Sequence, residues 1–208
     1  MRLRGTEALT LEVGASLPSS RAREMVPARF AVPSAEGGDA RGSLLFFRMT
    51  GLAMDGLPFP SFDYGEALWR ISVRLSSADD ALAWFAVACD IDNPIVRALG
   101  ARLVRYPTRA AKIIASEAKW KVGALELKVS DVDVGEIPTL RRTFVASGER
   151  IYEIPWDEIP PARARSVRVA VVNDGLVRKT FGEGAKLDET GIVHRGRVHM
   201  CGLARRDS

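Results

Sequence analysis

The 208-residue sequence predicts a mainly β (α+β) fold, an antiparallel β-meander or barrel crossed by one long helix at about residues 93–105. Three observations carry this expectation. Short runs of β-type periodicity recur along the chain, and Gly, Pro, Asn and Asp punctuate them. Only one segment combines a helix start signal, an apolar repeat of helical period and a stop. No internal repeat or low-complexity tail is present, so a single domain over 1–208 is expected at this length.

Ala8 to Val13 alternates weakly and reads as a first strand, and Ser19 to Phe30 as a short helix interrupted at Pro27. Ser34 to Gly42 is a Gly-rich loop. Ser43 to Thr50 then carries apolar residues on both alternating sets, the mark of a strand buried on two faces. After a Pro- and Gly-rich approach, Glu66 to Leu75 sets Trp69, Ile71, Val73 and Leu75 against Arg70, Ser72 and Arg74, a half-buried strand. Ser76 to Asp80 is a turn, and Ala81 to Ile91 is again apolar on both faces.

The helix follows. Asp92 or Asn93 can cap it, Pro94 suits its first turn, and Ile95, Leu99 and Leu103 form one apolar stripe. Tyr106-Pro107 ends it, because the residue before proline is pushed out of helical geometry. Strand patterns resume over Thr108–Val122, Ala124–Val132, Thr139–Tyr152, Ser166–Asn173, Leu176–Phe181 and Ile192–Leu203. Turn residues punctuate them at Gly123, Ser147-Gly148, Pro160-Pro161 and Asn173-Asp174-Gly175.

Composition excludes several classes. At 47% hydrophobic and 27% charged, the chain can build a sizeable core without staples. The net charge of +4 is spread out, and the doublets Arg141-Arg142 and Arg205-Arg206 read as solvated surface, so no nucleic-acid partner is expected. Cys89 and Cys201 sit in apolar runs and read as buried thiols of a reducing compartment. The N-terminal residues lack the apolar core of a signal peptide, and no run approaches the roughly 18 apolar residues of a membrane span. A soluble, cytoplasmic protein with no membrane partner is the expectation.

Familiar site motifs are missing. There is no phosphate loop, nucleotide-binding glycine fingerprint, paired-cysteine metal motif or nucleophile elbow. His194 and His199 lie at odd spacing on one predicted strand and would face opposite ways, so no metal site is expected. What remains is a set of ionisable residues beside apolar segments: Arg48, Glu66, Arg109, Lys112, Glu117, Lys119 and Lys121. On a regular strand from Thr108, Lys112 shares a face with Thr108, Ile114 and Trp120, surroundings that favour an uncharged, nucleophilic amine. Arg109, Glu117, Lys119 and Lys121 take the other face, where Lys119 and Lys121 read as solvated.

Phe62-Asp-Tyr-Gly-Glu66 resembles the "Pro-Tyr-x-Glu" approach of the acetoacetate decarboxylase superfamily. Asp92-Asn93-Pro94 through Gly100 to Pro107 resembles its "Asn-Asp … Gly-Arg-Glu-x-x-Gly-Phe-Pro-Lys-Lys" stretch. Leu-Phe-Phe-Arg48-Met49, Ala-Cys-Asp-Ile-Asp-Asn-Pro and Pro107-Thr-Arg109-Ala110 are closer to an uncharacterised bacterial, YqjF-like branch. The likeness covers residues 43–128 best. It implies a cone-shaped β cavity, no cofactor, and self-association into a homo-oligomer.

The departures decide the expected chemistry. In the decarboxylases two adjacent lysines follow the proline, and the first forms a Schiff base; the effect of the second cation on it is a stock illustration of nucleophile activation. Here those positions are Thr108 and Arg109, and Leu103 replaces the glutamate of Gly-Arg-Glu. Threonine cannot form an imine, so decarboxylation is not expected. The resemblance leaves a ligand-binding set of Arg48, Glu66, Tyr106, Thr108 and Arg109. In it the arginines would hold a small anionic, carboxylate-like ligand, and Glu66 would orient it or act as acid or base. Glu66 and Lys112 are the catalytic candidates, Lys112 as a relocated amine. The alternative is a non-catalytic structural or interaction protein with a closed, packed barrel.

Overall fold

Apolar residues on both alternating sets of Leu44–Phe47 and Leu82–Ile91 can be satisfied only in the middle of a sheet with a layer packed on each side. The computed structural model has this arrangement. It describes residues 2–35, 37–55, 60–75, 82–135, 142–154, 156–159, 164–202 and 204–206.

In chain order the elements are β1 (Arg2–Pro18), α1 (Ser19–Met25), β2 (Phe30–Ala31), β3 (Asp39–Met54), β4 (Phe62–Leu75), β5 (Leu82–Ile91) and α2 (Pro94–Leu99). A π-helical turn at Gly100–Val104 extends α2 and leads to β6 (Thr108–Ala110), β7 (Ile113–Ala115), β8 (Lys119–Val122) and β9 (Leu125–Gly135). Then come β10 (Thr143–Ser147), β11 (Arg150–Ile154), β12 (Trp156–Ile159), β13 (Ala164–Asn173) and α3 (Gly175–Phe181). The chain finishes with β14 (Lys186–His194), β15 (Arg197–Gly202) and β16 (Arg205–Arg206).

The strands form one sheet with the order β16-β11-β10-β5-β4-β3-β1-β14-β13-β9-β8-β7. Pairing is antiparallel except where β10 and β6 run parallel to β5. The long central strands separate two cores. One face packs Leu11, Phe46, Trp69, Trp120 and Phe181; the other packs Phe47, Leu68, Cys89, Ile91 and Val104. Among the described residues no helix is long and apolar enough to cross a membrane.

The mainly β reading with a helix after Asn93 holds, and α1 falls inside the predicted 19–30 segment. The Asn93 carboxamide accepts from the backbone N–H groups of Ile95 and Val96, and Pro94 opens the helix, as the sequence predicts. Several expectations need correction. The barrel is an open sheet whose pairing runs from β16 to β7 without closing. The predicted helix is a short α-helix continued by a π turn, and its core stripe is Val96, Gly100 and Val104, one residue on from Ile95, Leu99 and Leu103. Ile95 lies at the solvent-facing start and is 52% exposed.

Thr108–Val122 is not one strand. It breaks into β6, β7 and β8, because the Ser116 hydroxyl accepts from the Lys119 N–H and the chain reverses there. The reversal resets the alternation, so Trp120 pairs with Ala115 facing the core, while Lys112 and Ile114 face out. Leu176–Phe181 is the helix α3 rather than a strand, burying Val177, Thr180 and Phe181 at helical spacing. The expected turns at 76–80 and at Pro160-Pro161, and the start of the 139–152 strand, fall outside the described residues, as does the side chain of Cys201.

Candidate functional site

The register of β3, β4 and β5 decides which face each candidate residue occupies. Residues directly opposite on paired strands share a face. Phe47 pairs with Glu66, and Glu66 with Ile91. Glu66 therefore stands in a row of apolar neighbours on the face that α2 covers, and it is 3% exposed. The Cys89 thiol donates a hydrogen bond to its Oε1 at 3.2 Å. Burial first, then the Glu66 carboxyl, pushes the Cys89 thiol well above the ordinary cysteine range, so it stays protonated as that donor.

A cavity of about 40 Å³ lies beside Glu66, walled by Phe47, Tyr64, Ile91, Val96, Gly100 and Tyr106 among others. The helix end shapes it. Arg105 adopts a left-handed conformation (φ 62°) that stops the π turn, and the Tyr106 N–H then bonds the Gly100 carbonyl at 3.2 Å. That reversal brings Tyr106 back against the sheet, where it is buried. Close packing of β4 on β7 depends on Gly65, where an added Cβ would meet Ile113 Cγ2 at 2.7 Å. The Gly65 N–H donates to Asp92 Oδ1 at 2.8 Å, which is what Asp92 does in place of capping the helix.

Arg109 is on the other face. β6 runs beside β5 so that Thr108 aligns with Cys89 and Arg109 with Asp90. Arg109 Nε and Nη2 donate to Asp90 Oδ1 and Oδ2 at 2.8 and 2.6 Å, and Nη1 donates to Thr180 Oγ1 at 3.2 Å. The Trp69 indole N–H adds a third donor to Asp90, at 2.7 Å. With Asp90 3% exposed, this is a buried carboxylate fully engaged by a two-pronged guanidinium and an indole.

The residues expected to act together are thus divided. Glu66 and Tyr106 share the small cavity, and half-buried Thr108 lies on the same face of the sheet. Arg109 is bound into the opposite core, and Arg48 is exposed on β3. Lys112 is exposed as well, which removes the apolar surroundings that its role as an amine nucleophile required. Lys119 and Lys121 pair with Glu126, and Glu117 with Arg195, all as surface ion pairs. Sequence reasoning missed Asp90, Tyr64 and the Cys89–Glu66 bond. Asp90 left a signal, an acid inside the two-face apolar run Leu82–Ile91, and such a residue needs a buried partner. Among the described residues no group of three or more His, Cys, Asp or Glu side chains could hold a metal ion.

No protein-family model matches the chain, and no curated protein is similar to it in sequence. Solved structures are similar in fold. An acetoacetate decarboxylase-like enzyme from Sphingomonas wittichii RW1 superposes with a TM-score of 0.70 at 13% identity, covering 99% of this chain and 92% of that one. The acetoacetate decarboxylase of Legionella pneumophila gives 0.70 at 10% identity, covering 100% and 88%. The enduracididine biosynthesis enzyme MppR, complexed with the condensation product of pyruvate and imidazole 4-carboxaldehyde, gives 0.68 at 14% identity, covering 99% and 88%. The chain has the acetoacetate decarboxylase-like fold.

Proposed function

We propose that this protein binds a small, neutral organic molecule in the cavity beside Glu66 and that it is not a decarboxylase. The observation that carries the reading is a buried carboxyl group, flanked by the side chains of Tyr64 and Tyr106, in a cavity whose other described lining residues are apolar. A few polar groups in an apolar concavity is the usual make-up of a small-ligand site. Arg48 and Arg109 lie outside this cavity and its described lining is mainly apolar, so a carbonyl compound or alcohol suits it better than the anionic ligand expected from those two arginines. At roughly 10–15 Å³ per water-sized group, about 40 Å³ admits a ligand of about three or four non-hydrogen atoms. The resemblance of Pro107-Thr108-Arg109 to the superfamily's Pro-Lys-Lys puts Thr108 in the place of the imine-forming lysine, and Lys112 is exposed; both support a role without Schiff-base chemistry. Within this proposal the chain is akin to the YqjF-like branch, and its site serves a cytoplasmic protein without nucleic-acid, membrane or cofactor partners.

A second reading, a packed structural or interaction protein that self-associates, is favoured by one observation. The large face of the sheet is filled, with Phe46, Trp69, Trp120 and Phe181 each at 0% exposure. Titration of acetone, ethanol and acetate, followed by methyl NMR, separates the two. The binding reading expects saturable shifts at Ile91, Val96 and Val104 with acetone or ethanol, little response to acetate, and loss in Glu66→Leu. A flat titration with all three would leave the structural reading.

A further inference from the structure

One described wall of the cavity beside Glu66 is unlike the others. Leu3, Phe47, Leu52, Tyr64, Glu66 and Ile91 reach it from β1, β3, β4 and β5, and each of those strands is bonded to a neighbour on both sides. Val96, Gly100 and Val104 reach it from α2 and the π turn, which lie on the sheet and belong to no ladder. A central strand leaves its place only with its neighbours, whereas a short helix lying on a sheet can open by itself. Among the described walls, the helical one is therefore the wall that can move when a ligand enters.

The π turn needs a partner outside itself to stay shut. The last four carbonyls of a helix have no donor of their own. For the Leu103 carbonyl the α-helical donor would be residue 107, a proline without an N–H. The next N–H, that of Thr108, turns instead to the Tyr106 carbonyl at 2.8 Å. Ala204 supplies the missing donor, its N–H bonding the Leu103 carbonyl at 3.1 Å. From Ala204 the chain runs into β16, where Arg205 and Arg206 pair with Glu153 and Tyr152 of β11. The ring of that same Tyr152 carries the Arg105 guanidinium, 5.7 Å from the ring centre. Arg105, at φ 62°, is the residue that ends the turn. The end of the turn is thus tied to β11 twice, through Ala204 and through Arg105.

We propose that Ala204–Arg206 is a strap that holds the π turn shut as the lid of the Glu66 cavity, and that release of the Leu103–Ala204 bond opens the way in. Isolated π turns inside helices are rare and recur at functional sites, which suits a lid. The proposal rests on the reading of that cavity as a ligand site and adds how access to it is controlled.

Cys89 reports the opening without any ligand. Its thiol is 0% exposed on the face that the helix covers and donates to Glu66, so iodoacetamide reaches it only when the lid lifts. In a Cys201→Ala background, Ala204→Pro deletes the donor and should speed alkylation of Cys89 about tenfold, the factor carried by one hydrogen bond to an otherwise unsatisfied carbonyl. Ala204→Gly keeps the N–H and should react at the parent rate. Tyr152→Leu, which removes the ring under Arg105 and leaves the backbone intact, should speed the reaction about two- to fivefold. In each variant the rate should change little at low urea, because opening a lid exposes little surface, while global unfolding keeps its m value. An unchanged rate in folded Ala204→Pro and Tyr152→Leu would overturn the strap. So would equal acceleration in Ala204→Gly, or a rate that climbs with urea as steeply as global unfolding does. Failure of the ligand reading shows separately, as a flat acetone titration of the parent protein.

Discussion

Removing the Arg109 guanidinium should destabilise the protein through Asp90, whatever it does to ligand binding. In Arg109→Met the Asp90 carboxylate, whose side chain is 4% exposed, loses two charge-assisted hydrogen bonds of 2.8 and 2.6 Å. Breaking a buried pair from one side typically costs about 3–5 kcal/mol, because the orphaned charge is left behind. Two features reduce that figure. The Arg109 side chain is 35% exposed and so already partly screened, and the Trp69 N–H still bonds Asp90. A loss of about 2–3 kcal/mol remains, or a fall in Tm of about 4–12 °C for a chain of this size. Asp90→Asn is the milder variant, at about 1 kcal/mol, since its amide oxygen can still accept from Trp69 and the cation can turn to water. Urea unfolding of both variants, with unchanged m values, reads these numbers directly. A cost below about 0.5 kcal/mol for Arg109→Met, or a larger cost for Asp90→Asn, would refute the structural assignment of Arg109.

Two further outcomes follow from the ionisable groups. In a Cys201→Ala background, Cys89 should resist iodoacetamide at pH 8.5 in the folded protein and react at once in urea, because burial and Glu66 keep it protonated; native-state alkylation at the rate of a free thiol would contradict this. The Arg142 guanidinium clamps Glu153 at 2.6 and 2.7 Å and holds its carboxyl below the ordinary glutamate value of 4.5. Its contribution is therefore present above the unfolded value and lost as pH falls through the folded one. Both side chains are partly exposed, so wild type should lose no more than about 1 kcal/mol beyond what Arg142→Gln loses on acidification from pH 6 to 3. An equal or smaller loss in wild type would rule the clamp out.

The fold was legible where local chemistry speaks for itself. The Asn93-Pro94 start and the two-face apolar strands at Leu44–Phe47 and Leu82–Ile91 needed no tertiary information. The helix α3 was not legible, because Val177 and Phe181, four residues apart, share a face on a strand as well as on a helix. Nor was the reversal at Ser116, a side-chain-to-backbone bond that shifts the phase of every residue after it. For the site, the sequence grouped Arg48, Glu66, Tyr106, Thr108 and Arg109, and the structure divides that group between the two faces of the sheet. Alternation in β6 then separates Thr108 from Arg109 by a whole sheet, and only the register of β6 on β5 tells which core receives each.

The cavity beside Glu66 can be tested by filling it with a variant that should be more stable than the wild type. Gly100 lines it in ordinary helical conformation (φ −57°), and an added Cβ would meet Thr108 Cγ2 at 3.5 Å and Ile91 Cδ1 at 3.7 Å, both normal contacts. Gly100→Ala should therefore raise stability by about 0.5–1 kcal/mol while taking up part of a space of only about 40 Å³. Acetone titrated into wild type and Gly100→Ala, with Tm measured on the same samples, gives the decisive pair of readings. Gly100→Ala should show a higher Tm together with loss of acetone binding; an acetone affinity that survives in the stabilised variant would place the ligand outside the Glu66 cavity.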